Sequence, residues 1–216
     1  MLKPIAALLV FAGLAACGEQ GATGLLSRAT QLVASQMTDE PPAPRAAASV
    51  SEEEILGNPG KYVRVNIRNF GIWDTLVVAG TNGARTTWIG GTGASVTTEG
   101  GVVVATRGLP RDLMGAEAGE TAVALANGGG TYVRVHDFLT DQDQSLQFAL
   151  TCTLEGKGGD EVNRLGQTLS AQRFEEVCRS ENLTLTNVYW VDRSGKIIRS
   201  LQAVSPDAGY LQIDVF

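Results

Sequence analysis

Groups that could do chemistry are scarce in this sequence: it has three cysteines, Cys17, Cys152 and Cys178, and one histidine, His136. A single imidazole excludes metal sites that use several histidines. A Ser-His-Asp arrangement would need His136 as its base, but the chain carries no G-x-S-x-G nucleophile motif. We therefore expect no catalytic residue, no metal and no cofactor, and we interpret His136 as a structural or surface residue.

Cys17 directly follows a segment that is typical of export signals. Lys3 is the only charged residue among the first 16, and an apolar run of about a dozen residues comes after it. A transmembrane helix needs roughly 20 apolar residues, so this run is too short to span a bilayer. The pattern predicts a signal peptide over residues 1–16.

The end of that run, Leu14-Ala15-Ala16-Cys17, resembles the lipobox of bacterial lipoproteins. The resemblance implies that Cys17 is acylated, with palmitate among the expected chains, and becomes the new N-terminus. Gly18 rather than Asp in the next position favours the outer membrane. The alternative is an ordinary secreted protein in which Cys17 is a free or paired thiol.

With Cys17 acylated, Cys152 and Cys178 remain as an even pair in an oxidising compartment. We predict a disulfide between them, and two buried unpaired thiols are the alternative. Loss of residues 1–16 would remove Lys3 and leave 16 basic against 23 acidic side chains, a formal charge of −7 instead of −6. Nucleic acid is therefore not an expected partner, and the membrane is expected to be reached through the lipid anchor.

The secondary structure that would position these residues can also be predicted from the sequence, beginning with a helix and a linker after Cys17. Apolar residues over 25–37 recur at helical spacing, which predicts a modest amphipathic helix, and the prolines at 41, 42 and 44 end it. We assign residues 17–50 to this lipid-anchored helix and its proline-rich linker. Ser51 followed by Glu54 is a capping box and predicts a short helix that ends near Gly57.

From Lys61 the apolar period changes to two, as in half-buried strands. Hairpins are predicted around residues 81–84, 99–101 and 141–144, with further strands over 183–191, 196–204 and 210–215. A late helix is predicted over 171–181, and Cys178 would lie on it. The fold class is mainly β, an antiparallel barrel or sandwich with a few short helices, formed by residues 51–216.

Two sequence blocks resemble the GfcB/YjbF family of group 4 capsule and exopolysaccharide lipoproteins. The first covers residues 83–88 (GARTTW) and 104–113 (VATRGLPRDL), and the second covers residues 187–192 (NVYWVD), 194–198 (SGKII) and 200–202 (SLQ). The resemblance extends over roughly residues 50–216. It departs from the family in the glycine-rich residues 90–93, where a more polar hairpin is expected.

The resemblance implies a non-enzymatic lipoprotein on the periplasmic face of the outer membrane that assists secretion or assembly of an exopolysaccharide or capsule. Its expected partners are that polysaccharide and other proteins of the secretion machinery. An envelope hydrolase for polysaccharide or peptidoglycan and a structural scaffold for an outer-membrane β-barrel are the alternatives. Aromatic rings can stack on sugars, so Trp88, Trp190 and the nearby Arg107 are the candidate contacts, although core packing is the commoner role of strand tryptophans.

Overall fold

The structure, a computed structural model, describes residues 50–139, 142 and 144–216. The predicted signal peptide, Cys17 and the segment before Val50 lie outside the described residues. Within the described part of the chain, no helix has the length and apolar character needed to cross a membrane.

The chain forms two short helices and twelve strands over the described ranges. The helices are α1 (Glu52–Gly57) and α2 (Gly119–Ala126). The strands are β1 (Tyr62–Ile67), β2 (Ile72–Asn82), β3 (Arg85–Ile89), β4 (Ser95–Glu99), β5 (Val102–Arg107), β6 (Leu113–Ala116), β7 (Gly129–Leu139), β8 (Ser145–Arg164), β9 (Gln167–Arg179), β10 (Thr184–Val191), β11 (Ile197–Ser205) and β12 (Gly209–Val215).

All twelve strands belong to one antiparallel sheet in the order β5-β4-β3-β2-β1-β12-β11-β10-β9-β8-β7-β6, which curls into a nearly closed barrel. The predicted mainly β class is confirmed. Side chains of β5 connect the two edge strands of the sheet, β5 and β6. Thr106 Oγ1 accepts the Leu113 backbone N–H at 3.0 Å. The Arg107 guanidinium donates to the carbonyls of Leu113 and Met114 at 3.2 and 3.3 Å. Arg107 therefore helps to close the barrel.

The predicted helix after Ser51 and the predicted hairpins around residues 81–84 and 99–101 are confirmed. Ser51 caps α1 by accepting the Glu54 backbone N–H at 3.1 Å. The Asn82-Gly83 turn joins β2 to β3, and Gly83 has φ +59°, a conformation that favours glycine. Local turn chemistry and the period-two pattern agree in this part of the chain, which is why the sequence predicts it well.

Strand β5 is buried on both of its faces. Val103 lies in a cluster that we call the apolar core, while Val102 and Val104 pack with Phe174, Tyr189 and their neighbours on the other side. The buried members of the apolar core are Val63, Val65, Leu76, Trp88, Val96, Val103, Leu113, Ala116, Val204, Ala208, Leu211 and Ile213. Burial on both faces explains the continuous apolar run of β5, where an alternating pattern is usual.

Residues 157–171, which we call the arm, are the part of the β8–β9 hairpin that extends past the pairing with β7. Val162 of the arm is fully buried and clusters with Ile198 and Trp190. Asp160 Oδ2 accepts the Trp190 indole N–H at 2.8 Å, and the Asn163 carbonyl accepts from Arg199 at 2.9 Å. The arm thus covers Trp190 and part of β11.

The predicted helix over 171–181 is wrong, because these residues form most of β9. Cys178 therefore lies on a strand and pairs directly with Cys152 of β8. Gln, Arg and Glu in this stretch favour a helix in isolation, but Phe174, Glu176 and Cys178 are buried at period two between β8 and β10. Pairing with two strands overrides the local propensity. Helix α2 and strand β6 were not predicted from the sequence.

Candidate functional site

A cleft of about 440 Å³ opens at the end of the barrel where β1, β3 and β11 begin. Valine and isoleucine side chains of β1, β11 and β12 form its apolar wall, and threonines with Trp88 form its polar side. The lining residues are Gly60, Val63, Ala84, Thr86, Trp88, Thr98, Gly100, Gly101, Gly195, Lys196, Ile197, Ile213 and Val215.

Glycine turns keep this cleft open. Gly101, with φ +89°, follows β4, and a Cβ added to it would lie 3.0 Å from Ile197 Cβ. Gly195, with φ +85°, occupies the opposing β10–β11 turn. Gln202 fixes the Gly101 turn, since its side-chain amide donates to the Gly101 carbonyl at 2.9 Å and its oxygen accepts the Val103 N–H at 2.8 Å.

Trp88 lies between the apolar core and the cleft. Only 7% of the residue is exposed, and its indole N–H donates to Thr98 Oγ1 at 2.9 Å. Lys196 is the one charged side chain among the lining residues, and none of them carries a carboxylate. The cleft therefore offers an aromatic edge, hydroxyls and apolar surface, a combination that suits a largely neutral ligand.

The structure does not bring the three predicted contact residues together. Trp88 lines the cleft, Trp190 packs beneath the arm with its indole N–H on Asp160, and Arg107 is engaged at the β5–β6 junction. Trp190 is half-buried there, and the arm occupies its indole N–H. Of the three, Trp88 is the one that faces a cleft.

A second group of residues, which we call the polar core, surrounds the buried carboxylate of Glu176. Both Glu176 and its ion-pair partner Arg134 are almost completely inaccessible, and the Arg134 Nη1–Glu176 Oε2 distance is 2.8 Å. The carboxylate also accepts from Thr121 at 3.1 Å, Asn187 at 2.5 Å, Tyr189 at 3.1 Å and the Tyr132 hydroxyl. Five donors satisfy this carboxylate.

The electrostatics of the polar core follow from this arrangement. Burial acts to raise the pKa of Glu176, but the Arg134 charge and the donated hydrogen bonds outweigh it and hold the pKa below its usual value. Burial and the Glu176 charge raise the pKa of Tyr189, so its phenol remains a donor. Thr121 comes from α2, and this bond ties that helix to the polar core. The arrangement is a structural anchor.

His136 lies on the same inward face of β7 as Tyr132 and Arg134, and it is buried, as the structural interpretation expects. Its two ring nitrogens have no hydrogen-bond partner within the described structure. Burial, assisted by the Arg134 charge, lowers the pKa of His136 to about 3. The imidazole is therefore neutral at physiological pH.

The predicted disulfide between Cys152 and Cys178 is present, and it lies beside the polar core. Cys152, Cys178 and Glu176 have potential ligand atoms within 4.8 Å of one another. Both sulfurs are consumed by the disulfide and Glu176 is fully bonded, so this trio is not arranged to hold a metal.

Sequence reasoning missed the Arg134–Glu176 pair. The signal that could have found it is the alternation of Phe174, Glu176 and Cys178, which marks a strand with a charged residue on its inward face. A glutamate is almost never fully buried unless it is paired with an opposite charge. Without knowledge of Arg134, Glu176 is therefore interpreted from the sequence as a residue on the polar face of a helix.

The fold and these sites define an antiparallel β-barrel protein with a small apolar cleft and a rigid polar interior. Residues 21–216 match the family described as group 4 capsule polysaccharide lipoprotein GfcB, YjbF, and the chain belongs to this family. A capsule-related lipoprotein role in the cell envelope follows from that membership. The resemblance found in the two sequence blocks is confirmed.

The fold is similar to a solved structure, the hypothetical lipoprotein YmcC from Escherichia coli. The TM-score is 0.62 at 17% identity, and the match covers 72% of this chain and 84% of that one. At this identity the likeness establishes the shared fold. No curated protein gives a significant match.

Proposed function

We propose that the protein is a lipid-anchored accessory protein on the periplasmic face of the outer membrane, where it assists secretion or assembly of a capsule or exopolysaccharide without catalysing a reaction. The family match over residues 21–216 carries this proposal. The lipobox at Cys17 supports the anchor, and Gly18 supports the choice of membrane.

The geometry favours binding over hydrolysis. Glycoside hydrolysis uses two carboxyl groups on either side of the scissile bond, one of them an acid with a raised pKa. The cleft lining contains no carboxylate, and the buried Glu176 has a lowered pKa and five donors. Neither site has the carboxyl pair that this kind of glycoside hydrolysis uses, which supports the proposal of a binding role.

Direct contact with the polysaccharide, as we propose it, takes place in the cleft beside Trp88. An aromatic edge and the hydroxyls of Thr86 and Thr98 are suited to a sugar ring, and Lys196 is the single cation of the lining. The acidic balance of the chain disfavours long anionic stretches of polymer. A neutral sugar unit is therefore the ligand that the cleft fits best.

Deletion of the gene tests the accessory role. Surface polysaccharide should fall in the deletion strain and recover with the wild-type gene, whereas Cys17→Ala, which removes the acylation site, should restore it poorly at equal protein levels. Normal polysaccharide without the gene, or full recovery with Cys17→Ala, would contradict the proposal. Incubation of the purified protein with polysaccharide and with peptidoglycan should release no product, and turnover of either polymer would identify a hydrolase instead.

Titration of the purified protein with the native polymer tests direct contact. Binding through the cleft should depend weakly on salt, because stacking and hydroxyl contacts dominate it. A strong salt dependence would assign the contact to exposed arginines and argue against the cleft. Copurification of an outer-membrane β-barrel without any polymer binding would assign the protein a scaffold role.

A further inference from the structure

Exposed apolar side chains are concentrated on the β1–β2 turn and on the neighbouring strands β2 and β3. Of the eight large hydrophobic residues that are exposed in the described structure, five lie between residues 70 and 89: Phe70, Ile72, Trp73, Val77 and Ile89. Scattered exposed hydrophobics are ordinary, but a contiguous group marks an interaction surface.

The β1–β2 turn forms the tip of this surface. All six residues from Arg68 to Trp73 are exposed, with Phe70 at 52%, Ile72 at 54% and Trp73 at 44%. Backbone hydrogen bonds define the turn, since Phe70 N donates to the Ile67 carbonyl at 3.1 Å. The turn lies against the β11–β12 turn, since Asn69 donates to the Asp207 carbonyl at 3.0 Å, and it presents an aromatic ring, an isoleucine and an indole to solvent.

Arginines accompany the apolar tip on an otherwise acidic chain. Arg68 is exposed, and the guanidinium of Arg64 stacks over the Trp73 ring at 4.9 Å. The nearest acidic residue in sequence, Asp74, is partly buried and accepts the Thr75 N–H at 2.8 Å. Apolar and aromatic side chains beside cations are the combination that the headgroup region of a phospholipid bilayer accommodates.

We propose that residues 68–73 dock on a phospholipid bilayer. Exposed aromatic and apolar side chains beside arginines suit the headgroup region directly, whereas a protein partner would need a matching pocket. This inference rests on the proposed function in one respect, namely that the lipid anchor holds the protein near a bilayer. From Cys17 to Val50 the chain advances 33 residues, a contour length of at most about 110 Å. The tip can therefore reach the membrane that holds the acyl chains.

Docking through this tip orients the protein. β1 runs from the cleft, where Val63 lies in the wall, to the tip at Arg68. With the tip in the headgroup region, the opening of the cleft faces away from the bilayer. The cleft is then presented to a polymer in the aqueous space.

Fluorescence quenching tests the contact. The purified, acylated full chain is incorporated into phosphatidylcholine vesicles in which some lipids carry bromine on the acyl chains close to the headgroup. Tryptophan emission should be quenched, and Trp73→Phe should remove most of the quenching because Trp88 and Trp190 are shielded by the barrel and the arm. Quenching that survives Trp73→Phe unchanged would overturn the proposal.

A second variant keeps the reporter. Phe70→Ser combined with Ile72→Ser retains Trp73 but removes its apolar neighbours, so quenching should fall. Val123→Ser combined with Val133→Ser changes two comparably exposed residues away from the tip and should leave it unaltered. Equal quenching in both double variants and the wild type would also overturn the proposal.

Two further measurements separate this proposal from the others. Mass spectrometry of the N-terminus reads the acylation directly; a chain without acyl groups would refute the anchor, while quenching by the unacylated chain would still support the tip contact. If vesicles give no quenching and the Phe70→Ser, Ile72→Ser variant nevertheless lowers surface polysaccharide, the tip binds a protein and bilayer docking is wrong.

Discussion

The apolar core and the polar core fill the same barrel by different means. The apolar core is built almost entirely from valine, leucine, isoleucine and alanine, and it adjoins the cleft through Trp88. The polar core instead places an arginine and a glutamate out of contact with water and surrounds them with donors. A disulfide lies directly beside it.

This difference indicates that the two regions have different roles. Five side chains of the polar core donate to Glu176, and Arg134 also donates to the Glu117 carbonyl at 3.2 Å, so the region has one well-defined arrangement. The region around Trp88 has hydroxyls, open volume and the small part of the residue, 7%, that is exposed. We therefore infer that the polar core supports the fold, and we propose the cleft beside the apolar core as the place of ligand contact.

The largest effect is expected when one partner of the buried ion pair is removed. Glu176→Ala leaves Arg134 as an unpaired buried charge, and we expect a loss of about 3–5 kcal/mol in the free energy of unfolding, measured in urea. Glu175→Ala, at the neighbouring partly exposed carboxylate, should cost no more than about 1 kcal/mol. Equal losses in the two variants would show that the polar core does not support the fold.

Reduction of the disulfide should have the next largest effect. The two cysteines are 26 residues apart in sequence, and closure of such a loop stabilises a fold by about 3.5 kcal/mol in the chain-entropy model. The Cys152→Ala, Cys178→Ala double variant should lose a similar amount. Alkylation followed by intact-mass measurement should label two thiols only after reduction, and labelling before it would contradict the bond.

Acid should lower the free energy of unfolding through His136, which lies on the same strand face as Arg134 of the polar core. Because the pKa of His136 is about 3 in the folded state and about 6.5 in the unfolded state, folding favours the neutral imidazole, and stability is lost as the pH falls below about 6.5. At pH 5 we expect a loss of about 2 kcal/mol relative to pH 8. Glu176, with a lowered pKa, adds a further loss only under more acidic conditions.

The variant His136→Leu should flatten this pH dependence between pH 6.5 and 5. Neither ring nitrogen has a partner in the described structure, so an apolar side chain of similar size gives up no hydrogen bond. Urea unfolding at several pH values measures the slope. An unchanged slope in this variant would locate the acid sensitivity elsewhere.

The smallest effect is expected at the cleft. Thr98→Val removes the acceptor of the Trp88 indole N–H. An unpaired buried donor costs about 1–3 kcal/mol, and the proposed sugar contact predicts the lower end, because it requires the indole edge to be reachable from the cleft. Urea unfolding measures this loss. A loss near the upper end would mean that the Trp88 edge is dry, which argues against sugar contact there.

The contrast between the apolar core and the polar core also explains which parts of the structure can be predicted from the sequence and which cannot. The hairpins that carry Trp88 follow from the Asn82-Gly83 turn and from alternation of apolar and polar residues, both of which are local signals. The strand that carries Glu176 has helix-favouring residues, and its burial depends on Arg134, 42 positions earlier in the chain. The position of the arm also depends on residues that are distant in sequence, because the arm contacts Trp190 and Arg199. The alternation of Phe174, Glu176 and Cys178 marks the strand, but the partners in these pairings are distant in sequence and have no local signal.

Surface polysaccharide in a deletion strain that carries a cleft-filling variant tests the central claim most directly. Thr86→Phe places a ring inside the cleft, whereas Thr87→Phe changes the next residue, which is outside the cleft lining and bonds to Thr97 instead. At equal protein levels, we predict that Thr86→Phe leaves polysaccharide low and that Thr87→Phe restores it. Full restoration by Thr86→Phe would contradict the assignment of ligand contact to the cleft.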